Sequence, residues 1–179
     1  MSIVTRHGDT GETGLLYGGR VHKDDAHTEA YGAIDEAVSA LGLARAHAAG
    51  TPLGERLLTL QRQLFTAGAE LATARGHRPM LEKHFDVITE ATTMAIDREI
   101  TDLEDRVRVP QAFVLPGGTV VSAALDLART DVRRAERRAV SLARAGDMEN
   151  PEVLRYLNRV SDLLFMLARE AEEGATIAR

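Results

Sequence analysis

The stretch ALDLARTDVRRAERRAVSLA, Ala124 to Ala143, carries apolar residues three and four positions apart along its whole length. At about 100° per residue these positions fall within one arc of a helix. The arc consists of Leu125, Ala128, Val132, Ala135, Ala139 and Leu142. The stretch therefore predicts a helix that buries one face against the rest of the protein.

Arginines lie on both borders of this apolar stripe. Arg129, Arg133 and Glu136 fall together on one border, while Arg134 and Arg138 emerge on the other. One interpretation is a solvated face with ordinary ion pairs between helical neighbours. The other is a polyphosphate site, because guanidinium groups are planar donors that stay charged. The residues of this helix leave both interpretations open.

Apolar periodicity predicts four more helices. The segment Thr73–Asp86 and the segment VPQAFVLPGGT interrupt the pattern, and we expect the first of these connectors to be mobile. Short connections between amphipathic helices favour an all-α, five-helix, mainly antiparallel bundle with almost no strand. The helices run from about Glu29 to Gly50, from Leu57 to Leu71, from Thr89 to Arg108, from an N-cap near Thr119, and onward from Pro151.

The stretch TRHGDTGETGLLYGGRV, Thr5 to Val21, contains five glycines and cannot be an ordinary helix. It lacks the Gly-Lys-Ser/Thr ending of the familiar phosphate loop. Its backbone amides can still converge on an anion, with hydroxyls from Thr10 and Thr13 and the ammonium of Lys23 nearby. The same composition also fits a loose terminus, so both interpretations remain open.

Length and composition exclude several classes of protein function. A chain of 179 residues fits one domain, and the absence of cysteine excludes disulfides, thiolate zinc sites and cysteine nucleophiles. The net charge of −5 argues against broad nucleic-acid binding. No apolar run is long enough to cross a bilayer, so we expect a soluble, cytoplasmic protein with no membrane partner.

Four motifs occur in order along nearly the whole chain: TRHGDTGETGLLYGGRVHKDDAHTEAYGAIDEA, FVLPGGT, LARTDVRRAERR and YLNRVSDLLFMLAR. This combination resembles the PduO-type ATP:cob(I)alamin adenosyltransferases, also called corrinoid adenosyltransferases. Two dipeptides, His27-Thr28 and Ala37-Val38, depart from the usual pattern of that family. The resemblance implies one domain, with residues 1–24 as a nucleotide-binding loop and residues 25–179 as a helical bundle, assembled as a homotrimer with its site between subunits.

The resemblance also implies a reaction. The family transfers the 5′-deoxyadenosyl group of ATP to the cobalt of cob(I)alamin, which yields adenosylcobalamin and releases triphosphate. Because the reduced cobalt is the nucleophile, the protein needs no catalytic triad. Mg²⁺ accompanies the ATP, and a reductase and an adenosylcobalamin-dependent enzyme are the implied partners.

The nucleotide site implied by the resemblance draws on both ends of the chain. Its amino-terminal members are Thr5, Arg6, Gly8, Asp9, Thr10, Gly11, Thr13, Gly14 and Lys23. Its carboxyl-terminal members are Arg133, Arg134, Glu136, Arg137 and Asn158, together with Mg²⁺.

Three residues carry the implied corrin side, and with Arg133 they are the expected catalytic residues. Asp35 and Arg129 border the stripes of the first and fourth helices, so we expect them to pair where these helices meet. Phe113 matches the aromatic residue with which the family blocks the lower axial face of cobalt. An ordinary salt bridge and a core phenylalanine are the structural alternatives.

Two other function classes can be compared with this one. A carboxylate-bridged di-iron bundle needs Glu-x-x-His pairs on facing helices, and this chain has none. A trimer that binds ATP or delivers adenosylcobalamin to a client enzyme without catalysing the transfer is the remaining alternative.

Overall fold

The protein is mostly helical, as predicted. The computed structural model describes Val4, residues 6–109 and residues 112–173. Five long helices occupy the predicted positions. The elements in chain order are β1 (Glu12–Gly14), β2 (Arg20–His22), α1 (Ala26–His47), α2 (Pro52–Leu71), α3 (Arg78–Leu81), α4 (Glu90–Glu104), α5 (Val120–Ala145) and α6 (Glu152–Glu170).

Three short elements lie where the sequence predicted only loops. Strands β1 and β2 pair antiparallel, and the turn between them closes as the Leu15 amide donates to the Gly19 carbonyl at 3.1 Å. Three-residue strands are too short to show an alternating pattern, which explains why they were not predicted. Helix α3 is a single turn with Pro79 in its first positions, where proline suits a helix. The described residues thus contain six helices rather than five, and a small sheet.

Polar side chains fix where the long helices begin. Asp25, Thr51, Thr89 and Thr119 each accept a hydrogen bond from a backbone amide in the first turn of the helix that follows. Such N-caps satisfy donors that the helix itself leaves unpaired. Helix α5 ends at Gly146, whose φ of 82° suits glycine at a helix end. The N-cap predicted at Thr119 is confirmed.

Helix α5 lies between α1 and α6, α2 covers the other side of α1, and α4 packs on α6. Glu29 and Glu36 of α1 pair with Arg138 and Arg134 of α5 in that order, so these two helices run antiparallel. Consecutive helices α1 and α2, and likewise α5 and α6, are antiparallel because short loops join them. Helix α4 runs parallel to α6.

The core forms around the apolar stripe of α5. All six stripe residues predicted for this helix are almost completely buried, from Leu125 to Leu142. Helix α6 contributes Tyr156, which is fully buried and donates its hydroxyl to the side-chain oxygen of Gln63 at 3.3 Å. Burial raises the pKa of Tyr156, so its hydroxyl stays protonated.

The connector between α2 and α4 is fastened through Glu70. Its carboxylate accepts the Ile88 amide at 2.6 Å and the Asn150 side-chain amide at 2.7 Å. Asn150 also donates to the Ile88 carbonyl at 2.9 Å. Burial raises the pKa of Glu70, although these hydrogen bonds oppose the shift. The residue that these bonds tie to α2 and to the loop before α6 follows the segment Thr73–Asp86, whose mobility stays a prediction.

None of the helices in the described part of the chain is long and apolar enough to cross a membrane.

Two leucines on α1 give a matched test of this core. Leu41 is 0% exposed and Leu43 is 48% exposed. We expect Leu41→Ala to lower the free energy of unfolding by about 2 to 5 kcal/mol, because it leaves a cavity. Leu43→Ala should change it by less than about 1 kcal/mol. Denaturant unfolding followed by circular dichroism measures both, and equal losses would contradict the packing described here.

Candidate functional site

The glycine-rich segment before α1 is a shaped loop rather than a loose end. The Lys23 side chain lies over Gly8, where a Cβ atom would come within 2.9 Å of the Lys23 Nζ atom. The Lys23 backbone amide donates to the Gly11 carbonyl at 2.9 Å. The Gly11 amide in turn donates to the Gly8 carbonyl at 3.2 Å. This turn holds the exposed Lys23 ammonium beside Gly8, and a positive charge at a glycine turn suits a phosphate.

The end of the same segment is attached to the carboxyl end of α2. The Leu16 amide donates to the Ala72 carbonyl at 2.8 Å, and the Ala74 amide donates to the Leu16 carbonyl at 3.2 Å. Gly18 is required beside them, since a Cβ there would lie 2.1 Å from the Cβ of Ala74. The bundle thus holds this end of the loop in place.

The remaining candidates of the loop lie along its surface. Arg6, Asp9 and Thr10 are exposed, and Thr13 is half-buried within β1. Gly14, the last residue of β1, lines the groove between α1 and α2. Thr5 lies outside the described residues.

A largely apolar groove of about 580 Å³ lies between α1 and α2. Asp35 and Tyr31 of α1 line it opposite Phe65 of α2. Phe65 is 67% exposed, an unusual state for a phenylalanine. Sequence reasoning missed Phe65, although it falls outside the apolar stripe of α2. An apolar groove with one carboxylate suits a large ligand that has both apolar and polar edges.

A second groove, of about 370 Å³, lies where α4, α5 and α6 meet. Arg129 and Arg133 both line it, with Phe165 on the facing helix. The Arg129 Nε atom donates to Asp126 at 2.9 Å. The exposed Arg133 side chain has no hydrogen bond or ion pair with any residue that the structure describes. Its guanidinium is available to an anionic ligand.

Glu136 and Asn158 continue the same row across α5 and α6. The Asn158 side-chain amide donates to Glu136 at 3.2 Å, and its oxygen accepts from Arg159 at 2.8 Å. Arg137 donates to the Arg133 carbonyl at 3.0 Å. Four predicted site residues therefore lie near one another on α5 and α6: Arg129, Arg133, Glu136 and Asn158.

Arg134 lies on the other flank of α5. It pairs with Glu36 of α1 and with Asp131, whose carboxylate is 3.2 Å away. Burial raises the pKa of Asp131. The Arg134 Nε atom is buried without a hydrogen-bond partner among the described residues. Within one chain the structure therefore separates Arg134 from Arg133, because adjacent helical residues point about 100° apart.

The expected pairing of Asp35 with Arg129 is wrong within one chain. Asp35 lines the groove between α1 and α2, whereas Arg129 lines the second groove and pairs with Asp126. The reason is that α1 meets α5 through the face that carries Glu29 and Glu36. Asp35 is the neighbour of Glu36 and points toward α2 instead.

Phe113 is fully exposed in the segment between α4 and α5, and Leu115 beside it is 90% exposed. A fully exposed side chain cannot fill the core of this chain. The structural alternative for Phe113, a core phenylalanine, is therefore excluded.

Comparison with known protein sequences agrees with this architecture. A family model described as cobalamin adenosyltransferase matches residues 3–171. The corrinoid adenosyltransferase of Bacillus subtilis is 40% identical over 173 residues, which cover 94% of this chain and 86% of that protein. The corrinoid adenosyltransferase of Mycobacterium tuberculosis H37Rv is 42% identical over 180 residues, covering 98% and 91% of the two chains.

The fold also matches that of a solved structure. The protein in that structure is a variant PduO-type ATP:corrinoid adenosyltransferase from Lactobacillus reuteri complexed with cobalamin and ATP. That structure matches 96% of this chain and 94% of its own, with a TM-score of 0.86 and 35% identity. Since the family model covers nearly the entire sequence and the fold agrees, this chain belongs to the cobalamin adenosyltransferase family.

Proposed function

We propose that this protein is a transferase that moves the 5′-deoxyadenosyl group of ATP to the cobalt of cob(I)alamin, at a site shared by two copies of the chain. One observation is the main support for a site shared between two copies. No hydrogen bond or ion pair joins residues 6–23 to α5 or α6 in the described part of the chain. The contact between α1 and α5 separates the glycine-rich loop and the groove between α1 and α2 from the second groove, which Arg129 and Arg133 line and which we call the arginine groove. A nucleotide can therefore contact both sets of residues where two copies meet.

Contact between two unlike faces is heterologous, and repetition of such a contact closes into a ring when the rotation allows it. We propose a ring of three copies with one site at each interface. In such a ring Asp35 of one copy meets Arg129 of its neighbour. This arrangement supplies between subunits the pairing that is missing within one chain.

The chemistry needs no nucleophile from the protein. Cobalt of cob(I)alamin donates an electron pair to C5′ of ATP, the C5′–O bond breaks, and its electrons leave with triphosphate. The protein then has to orient the two substrates and to stabilise the leaving group. Two charged groups suit stabilisation of the triphosphate, namely the Lys23 ammonium beside Gly8 and the Arg133 guanidinium, which has no partner among the described residues.

Mg²⁺ fits the same end of the site. Glu136 offers a carboxylate there, and the Asn158 side-chain amide, 22 positions further along the sequence, donates to it. Mg²⁺ is commonly held by one or two carboxylates together with substrate phosphates. When bound, the ion would neutralise charge on the triphosphate, and Glu136 would hold it beside Arg133.

The corrin ring is assigned to the groove that Asp35, Tyr31 and Phe65 line. The exposed Phe113 ring is free of any packing role within the chain and can cover the lower axial face of cobalt. Loss of the lower ligand lowers the orbital that the incoming electron must enter. We propose that a separate cytoplasmic reductase supplies that electron and that an adenosylcobalamin-dependent enzyme uses the product.

The shared site can be tested by mixing inactive variants. Lys23→Ala damages the loop half and Arg133→Ala damages the arginine half. After subunit exchange, about one quarter of the interfaces should carry both intact halves, because random mixing pairs an intact half with an intact half at that frequency. We expect adenosyl transfer to recover accordingly, and light scattering to give three times the chain mass of 19.4 kDa. A monomer that retains activity, or no recovery despite exchange, would refute the shared site.

Arg133 and Arg138 give a matched pair for the triphosphate contact. Both carry one charge on α5, but Arg138 pairs with Glu29 at 3.2 Å, whereas Arg133 lines the second groove with no ion pair to any residue that the structure describes. We expect Arg133→Ala to lower kcat/KM by the equivalent of about 2 to 4 kcal/mol, as loss of a charge-assisted transition-state contact does. Arg138→Ala should lose little, because exposed ion pairs contribute little. Similar small losses would indicate that the row is only a solvated face.

Phe113→Ala separates packing from cobalt chemistry. Because Phe113 is fully exposed, we expect its melting temperature to remain within a few degrees of the wild type. The variant should lose activity with cob(II)alamin plus a reductase while it keeps most activity with pre-reduced cob(I)alamin, which has no axial ligand to displace. The measurement is the ratio of the two activities. An unchanged ratio would rule out the axial role.

A further inference from the structure

Two oppositely charged side chains are buried behind the arginine groove. Asp126, near the start of α5, and Arg169, near the end of α6, are each 3% exposed. One oxygen of the Asp126 carboxylate accepts a hydrogen bond from Arg169. The other accepts from the Arg129 Nε atom at 2.9 Å. A single carboxylate thus joins a buried guanidinium to one that lines the groove.

Arg169 also supports a second wall of this groove. Its guanidinium lies over the Phe165 ring, 5.2 Å from the ring centre, and Phe165 lines the groove with Arg129. Glu172 lies 3.3 Å from Arg169 and balances the remaining charge. Two carboxylates and two guanidiniums therefore form a neutral cluster. The guanidinium of Arg169 contacts both the partner of Arg129 and the neighbouring aromatic wall.

Stability alone does not account for such a cluster. Burying an ion pair costs desolvation energy, and apolar side chains of similar volume are often at least as stabilising. The ion pair instead fixes the orientation of the Arg129 guanidinium. A free arginine side chain populates many rotamers, so it loses much conformational entropy when it is held in one place. Asp126 holds Arg129 before any ligand arrives, whereas Arg133, one turn further along, has no such partner among the described residues.

We propose that Asp126 and Arg169 are positioning residues that hold the Arg129 guanidinium and the Phe165 ring in place for adenosyl transfer. This inference rests on the proposed function, in which Arg129 belongs to the site. Preorganised charge raises rates because it does not have to reorient during the reaction, and a displacement of about 1 Å can cost about 100-fold.

The test is a double-mutant cycle in the full-length assembled protein with ATP and chemically reduced cob(I)alamin. We expect Asp126→Asn to lower kcat about 100-fold while KM for ATP changes little. In an Arg129→Ala background the same substitution should have no further effect, because Asp126 acts through Arg129. The matched control is Glu99→Gln, which removes the partly buried Arg56–Glu99 pair between α2 and α4 and should leave kcat unchanged.

A substitution that only loosens the fold would lower kcat by the same factor in both backgrounds. Equal losses in the two backgrounds, or normal kcat in Asp126→Asn when Arg129→Ala is impaired, would overturn the positioning role and leave the proposed function intact. Full activity of Arg129→Ala would overturn the role of Arg129 and the positioning role together. If Asp126→Asn does not assemble, Asp126→Glu takes its place in the cycle, since it keeps the charge and moves the carboxylate that Arg129 contacts. The same criterion then applies: loss only when Arg129 is present.

Discussion

Helix α5 has one apolar stripe, and it can keep that stripe from water only by lying between α1 and α6. This packing determines which arginines reach which side. Arg134 and Arg138 meet acidic residues of α1, whereas Arg129 and Arg133 face the groove with α6. Burial of the apolar stripe therefore places some arginines of α5 against α1, where they hold the bundle together, and others in the groove, where a ligand can contact them.

Separation of the two grooves has a functional consequence. The glycine-rich loop and Asp35 lie on the α1–α2 side, while Arg133 and Asn158 lie on the α5–α6 side. In an enzyme whose substrate is itself the nucleophile, orientation and charge are the main contributions of the protein. In the proposed shared site these contributions depend on assembly, because each copy supplies only one half of each site.

Two carboxylates in the described residues, the buried Asp126 and the half-buried Glu70, connect segments distant in sequence. Asp126 and Arg169 join the start of α5 to the end of α6. Glu70 joins the connector before α4 to the loop before α6, through Ile88 and Asn150. In both cases hydrogen bonds offset only part of the desolvation cost: burial still raises the pKa of Glu70, and the Arg169 Nε atom is buried without a hydrogen-bond partner among the described residues. Exposed ion pairs such as Glu29 with Arg138 stay solvated and contribute much less to holding their helices together.

The sequence by itself determined the five long helices, the stripe of α5, the N-cap at Thr119 and the family. Periodicity and capping depend on residues a few positions apart, so they can be read along one chain. The motif YLNRVSDLLFMLAR and its companions likewise need no three-dimensional information to be recognised. The short strands and the single turn of α3 escaped prediction because they are too short to have a period.

Only the tertiary structure decided which side chains meet. It showed that Asp35 and Arg129 lie in different grooves, that Phe113 is exposed and that Asp126 links Arg129 to Arg169. An apolar stripe specifies that a helix face must be covered but not which helix covers it. That choice depends on packing between segments far apart in sequence, where small differences in burial and ion pairing select one arrangement.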